Sequence, residues 1–285
     1  MNKKIRQVLS VAGTEYVGWI TNPRIIILGV LLIFVKVLAI EPLAARAERF
    51  GEKLIIFEPF IAVGNSGMLA MLIPLVFLVL LADYPRLGGN TLFFISRTGK
   101  RSWLWGQLLF LISAILTFMS VILLSSILFS GGRFGTSWSD TVTKYNARFP
   151  NEAYNFDSQL IPSNLYNQIP MIKAVLQTFV LMSAYLFLLS LIIYLFKIMF
   201  GNSAGFAAAT AVIALGVTTT SLYSELRWAF PMANTIMWLH YEEILREPIY
   251  PVYGSFLYFG IAVLALILLN YFGLRKINLM ENNEL

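Results

Sequence analysis

The run Leu104-Trp-Gly-Gln-Leu-Leu-Phe-Leu-Ile-Ser-Ala-Ile-Leu-Thr-Phe-Met-Ser-Val-Ile-Leu-Leu-Ser-Ser-Ile-Leu-Phe129 holds no charged residue over 26 positions. Coiled as a helix it would reach about 39 Å, more than the roughly 30 Å hydrocarbon core of a bilayer. Arg97, Lys100, Arg101 and Trp103 stand just before it, the residue types that anchor a span at a headgroup layer. Five further apolar stretches flank it, near Ile25–Leu43, Phe60–Ala82, Ala174–Leu195, Ala204–Leu222 and Gly254–Leu274. Each approaches the length of about 20 residues that a crossing helix needs. The expected fold class is an all-α integral membrane protein with six transmembrane helices.

Composition agrees. Of 285 residues, 58% are hydrophobic and 13% charged, against about 25% charged in a soluble domain. A soluble enzyme, a disordered tail and a fibrous repeat are excluded. There is no cysteine and one histidine, His240. That excludes disulfides, thiolate metal sites, cysteine nucleophiles and a histidine-rich metal centre. The net charge is +6. The basic residues sit beside apolar runs, so membrane lipids rather than nucleic acid are the expected partner. The start, Met1-Asn-Lys-Lys-Ile-Arg6, has the basic look of a signal peptide. Gly13, Thr14, Glu15 and Gly18 interrupt the stretch after it, and an uncleaved first span is the better expectation.

Charge sets the orientation. With the N-terminus inside, the inner segments are 1–24, 83–103, 196–203 and 275–285, holding 11 basic residues and four acids. The outer segments hold nine basic residues and 11 acids. Excess Lys and Arg mark the cytoplasmic side, so both termini are expected there. Lys36, inside the first run, is expected to snorkel to the outer headgroups. Residues 1–24 read as a cytoplasmic amphipathic helix: Ile5, Val8, Leu9, Ala12, Tyr16, Trp19 and Ile20 share one stripe, and Asn22-Pro23 ends it. Residues 25–285 form the six-span domain. Its outer loop, 130–173, is too polar to cross and too long for a simple turn. A second outer segment, 223–253, is aromatic and interrupted, fitting helices that lie in or dip into the interface.

Little in the chain can power or catalyse a reaction. No span holds an Asp or Glu away from its ends, so a proton relay has no members. The nearest phosphate-loop string, Thr98-Gly-Lys-Arg-Ser102, has Phe94 where glycine belongs and Arg101 where Ser or Thr belongs. Any ATP and Mg would therefore be held by a partner, and no cofactor is expected in this chain. Gly64-Asn65-Ser66-Gly67 matches the GxSG of rhomboid intramembrane proteases, with His240 as the one available base. Close helix approach accounts for the glycines as well. Glu242-Glu243-Ile-Leu-Arg246 approximates an EExxxR protease motif with the arginine one residue early, and reads as a solvated acidic turn.

Four features together resemble the permease subunits of type-2 ATP-binding-cassette exporters. They are the N-terminal "elbow" helix, six spans with both ends inside, the run Ser96-Arg97…Arg101-x-Trp103-Leu-x-Gly106-Gln107, and a re-entrant-like segment before the last span. The long loop 130–173 departs from the family pattern. The resemblance implies a transport subunit of a bacterial plasma membrane, not an enzyme, pairing with a second permease subunit above two ATP-binding-cassette ATPase subunits. It implies export of an amphipathic substrate such as a peptide, lipid or drug. A coupling helix would lie in the inner loop 83–103, at about Leu87–Ile95. Leu87, Leu92, Phe93, Phe94 and Ile95 would meet the ATPase, and Arg97, Lys100 and Arg101 would hold the loop. The first, second and fifth spans would line the path, with Thr218, Thr219 and Thr220 offering hydroxyls. Two other classes stand beside this one: an intramembrane serine protease using Ser66 and His240, and a non-transporting scaffold or immunity protein whose loop 130–173 binds an outer partner.

Overall fold

The computed structural model describes residues 3–86, 95–152, 160–242 and 248–275. Among the described residues there is no β-strand, and helices dominate. Among the described residues, five helices are long and apolar enough to cross a membrane, or six if one bent pair counts as a single span. This is compatible with a multi-pass membrane protein.

Helix α1 (Lys3–Ile20) stops before Asn22, whose side chain accepts from the Arg24 amide at 3.0 Å and caps the turn that opens the first span. That span is continuous: α2 (Ile26–Val35), a π-helical turn (Lys36–Ile40) and α3 (Glu41–Phe50). It runs past the expected end at Leu43 and stops at Gly51, whose φ of 84° suits glycine. The wider turn puts Lys36 and Glu41 on one face, with Nζ 3.6 Å from the carboxylate and both side chains half-exposed. Lys36 thus has a partner five residues on.

The second run is not one straight span. Helix α4 (Glu58–Asn65) and α5 (Gly67–Leu80) meet at 82°. Ser66 between them is extended (φ −74°, ψ 121°), which ends the hydrogen-bond ladder. Helices α6 (Lys100–Phe129), α9 (Met171–Phe200), α10 (Asn202–Ser221) and α12 (Val252–Arg275) complete the apolar set. Of these α9 is the most enclosed and α12 the least. Helix α9 continues through most of the expected inner segment 196–203 and turns into α10 at Gly201, φ 95°.

The described residues of the outer loop, 130–152 and 160–170, form a packed cap rather than an open loop. Helix α7 (Asp140–Arg148) starts at Ser139, whose hydroxyl accepts from the Val142 amide. Helix α8 (Ser163–Tyr166) comes next. The cap is pinned by Glu58, which is fully buried. Its carboxylate accepts from the amides of Ile55 and Ser139 and from the Ser139 hydroxyl, at 2.9, 2.7 and 3.0 Å. Arg46, on the extension of the first span, lies 4.5 Å over the Tyr145 ring. This end is the capped face; the end carrying α1 and residues 95–103 is the basic face.

Segment 223–242 dips into the bundle, and residues 231–237, including α11 (Pro231–Thr235), are all buried. It satisfies the break in the second span. The Asn65 amide donates to the Ile61 carbonyl at 2.8 Å, and its Oδ1 accepts from the Met237 amide at 2.7 Å. Trp238 Nε1 donates to the Asn65 carbonyl at 2.9 Å. A sharp bend in buried backbone persists only when its freed groups find such partners. Gly64 lets α4 close on α9: a Cβ there would lie 2.1 Å from Thr178 Cγ2. Gly64→Ala is therefore expected to destabilise the protein by about 1–3 kcal/mol, read as a lower thermal midpoint in detergent, and Thr178→Ala in the same chain is expected to restore most of the loss.

Candidate functional site

At the basic face α1, the start of α6, the end of α9 and residues 83–86 after α5 converge. Helix α1 lies along α6. Gly106 makes this possible, because a Cβ there would sit 2.5 Å from Val11 Cβ and 3.1 Å from the Val8 carbonyl oxygen. One position on, Gln107 is fully buried and donates to Glu15 at 3.1 Å. Tyr16 and Thr117 share a hydroxyl hydrogen bond at 2.8 Å. The contact face of α1 carries Val11, Ala12 and Trp19, while Ile5, Leu9 and Ile20 of the expected stripe point outward. The apolar surface of α1 is thus split between the protein and its surroundings.

The segment after α5 is tied to the same junction. Asp83 meets Arg24 at 2.7 Å, and its carbonyl accepts from Lys197 at the end of α9 at 3.1 Å. Arg86 donates to the Gly18 carbonyl at 2.9 Å. A Cβ at Gly18 would lie 2.5 Å from Arg86 Nη1, so a larger residue there would displace the end of the arginine side chain. Tyr84 sits in the middle, with ring centroids 5.5 Å from Phe110 and 5.8 Å from Tyr194. The series extends to Trp103 beyond Tyr194 and to Trp19 beyond Phe110. One chain of aromatic rings therefore spans α1, residue 84, α6 and α9. The cleft among Glu15, Trp19, Asp83, Tyr84 and Arg86 measures about 20 Å³, room for about one water. The contacts here are close packing around one small cleft.

Of the residues expected to couple, Leu87, Leu92, Phe93 and Phe94 lie outside the described residues. Residues 95–98 are helical. Ile95 is buried, Arg97 and Arg101 are exposed and Lys100 is half-buried. The chain turns at Gly99, φ 83°, straight into α6. Trp103 is buried and Trp105 is 59% exposed, so only one of the two tryptophans faces outward. On the expected path, α5 touches both α2 and α10. Thr218 and Thr219 donate to carbonyls of their own helix, Ala214 and Leu215, which spends their protons locally. The Thr220 hydroxyl is buried and finds no hydrogen-bond partner among the described residues.

Ser66 and His240 share no hydrogen bond among the described residues. His240 Nδ1 meets the Tyr250 carbonyl at 2.8 Å, and Trp228 stacks on Tyr250 with centroids 4.3 Å apart. Burial pushes the His240 imidazolium below its ordinary value, so the ring is neutral at pH 7. Glu243 and Arg246 of the second protease-like string lie outside the described residues.

Three residues that organise these contacts carry no expected role: Glu15, Glu58 and Asn65, the last at the variable position of the GxSG string. Their signals in the sequence are faint. Glu15 interrupts an apolar leader, Glu58 precedes a helix-starting proline, and Asn65 lies between two small residues. No protein-family model matches the chain, and comparison with curated proteins and with solved structures likewise finds no match.

The joint has two measurable consequences. Gly106→Val is expected to lift α1 off α6 at about 1–3 kcal/mol, detected as faster proteolysis between α1 and the first span. Burial pushes the Glu15 carboxyl above its ordinary 4.5, opposed by Gln107, Arg86 and Lys197. The folded state then holds this proton more tightly than the unfolded chain, so stability falls as pH rises through the raised value. Glu15→Gln keeps an acceptor for Gln107 and is expected to flatten that fall in thermal midpoints measured from about pH 4.5 upward.

Proposed function

We propose that the chain is the membrane-spanning permease subunit of an ATP-binding-cassette exporter. Two permease subunits enclose a path for an amphipathic substrate, and separate ATPase subunits bind ATP and Mg on the cytoplasmic side. The protein is a multi-pass component of the plasma membrane with both termini cytoplasmic. In this reading α1 is the elbow helix, the basic face is inner and the capped face outer.

The observation that supports this reading is the joint at the root of residues 83–103. Residues 83–86 are tied to α1, α6 and α9, and residues 95–103 lead into α6, so both described ends of this inner segment are anchored in the bundle. A push on it passes through the aromatic chain to α6 and α9, and through Arg86 and Arg24 to α1 and the first span. Packed cores transmit such displacements because they are close-packed and stiff. The bent second span supplies a place where α5 can tilt against α4. Energy must come from outside the chain, since its spans hold no carboxylate relay and its loops no phosphate cradle.

In the working complex, Leu92, Phe93 and Phe94 meet the ATPase. Changing all three to Asp is expected to abolish co-purification of the ATPase and to lower transport at least about ten-fold, with the thermal midpoint of the permease unchanged. Unaltered pairing and transport would remove the coupling role. Labelling of the chain by a fluorophosphonate probe, lost in Ser66→Ala, would instead establish the protease.

A further inference from the structure

The basic-face ends of α6 and α12 enclose a cleft of about 170 Å³ lined by Lys100, Arg101, Tyr271 and Leu274. Two of these lining residues are cations, and Tyr271 and Leu274 add apolar surface. The Arg101 guanidinium lies 5.8 Å from the centre of the Tyr271 ring, within reach of a cation–π contact between two residues that line the cleft. Apolar stripes lead away from the cleft along the outside of the bundle. On α6 they are Trp105, Ile112 and Leu116, and on α12 Leu264, Leu268 and Phe272, all at least 45% exposed. A ligand that fits has a compact anionic head and a long apolar body. A soluble anion would use the cations and leave the stripes idle, while a zwitterionic lipid would bring its own cation toward Lys100 and Arg101.

We infer that this cleft binds the headgroup of an anionic phospholipid of the adjacent leaflet, with its acyl chains lying along the α6 and α12 stripes. Basic clefts between helices at the membrane surface are suited to such headgroups. The inference rests on the membrane part of the functional reading and not on the ATPase. A lipid held there would brace the start of α6, three residues before Trp103 enters the aromatic chain.

The test is native mass spectrometry of the purified chain in a neutral detergent. It is titrated in parallel with dioleoyl phosphatidylglycerol and dioleoyl phosphatidylcholine. The wild type is expected to retain phosphatidylglycerol preferentially, and excess inorganic phosphate is expected not to displace it. Lys100→Gln with Arg101→Gln is expected to weaken retention about five-fold per cation removed. Lys3→Gln with Arg6→Gln removes the same charge from exposed positions of α1 and is expected to leave retention unchanged. Equal retention of the two lipids, displacement by phosphate, or equal loss in both double variants would overturn the site. A chain that does not sediment with membranes would overturn the membrane reading as well; a membrane-bound chain with a normal thermal midpoint and no lipid preference would overturn the site alone.

Discussion

The contact between Val11 and Gly106 is the constraint on which the basic face depends. Two helices approach closely only where one lacks a Cβ, and here that gap sets the depth at which α1 lies on α6. Once α1 is seated, Glu15 reaches Gln107, Tyr16 reaches Thr117 and Trp19 reaches Phe110. Gly18 then presents its carbonyl to Arg86, which fixes the chain leaving α5. The individual bonds are modest. The exposed Arg24–Asp83 pair is worth at most about 1 kcal/mol. Their effect is geometric: together they fix residues 83–86 against α1, α6 and α9.

A second fixed point lies at the capped face. Asn65 completes the bend between α4 and α5 with bonds to residues more than 170 positions away, at Met237 and Trp238. Glu58, seven residues earlier, holds the cap through Ser139. The cap reaches back to residues 238 and 241 through Asn164, which donates to both carbonyls. The bend, the cap and the dipping segment therefore form one unit. A tilt of α5 is anchored by this unit at one end and by the Tyr84 joint at the other.

Much of the architecture was legible from apolar runs alone. Helices α6, α9, α10 and α12 match the expected spans because long uncharged stretches admit no other regular structure. Boundaries failed where distant contacts override local polarity. Arg46, Glu48 and Arg49 look like the end of a span, yet α3 continues because the cap gives Arg46 and Arg49 partners in Tyr145 and Glu152. The bend at Ser66 was hidden because no proline marks it; its cause is a side chain bonded to the far end of the sequence. The α1 stripe was assigned by spacing, but the groove at Gly106 selects Val11 over Leu9. The threonines of α10 were visible as residue types, while their bonds to their own helix were not.

Because the chain has no cysteine, the proposed coupling to an ATPase can be tested directly. A single cysteine at Ser96, on the segment rooted in the joint, can carry a photoactivatable cross-linker in native membranes. Coupling predicts capture of a polypeptide with a phosphate-binding loop, and a change in cross-linking yield when ATP is added. Capture of lipid alone, or a yield indifferent to nucleotide, would contradict it.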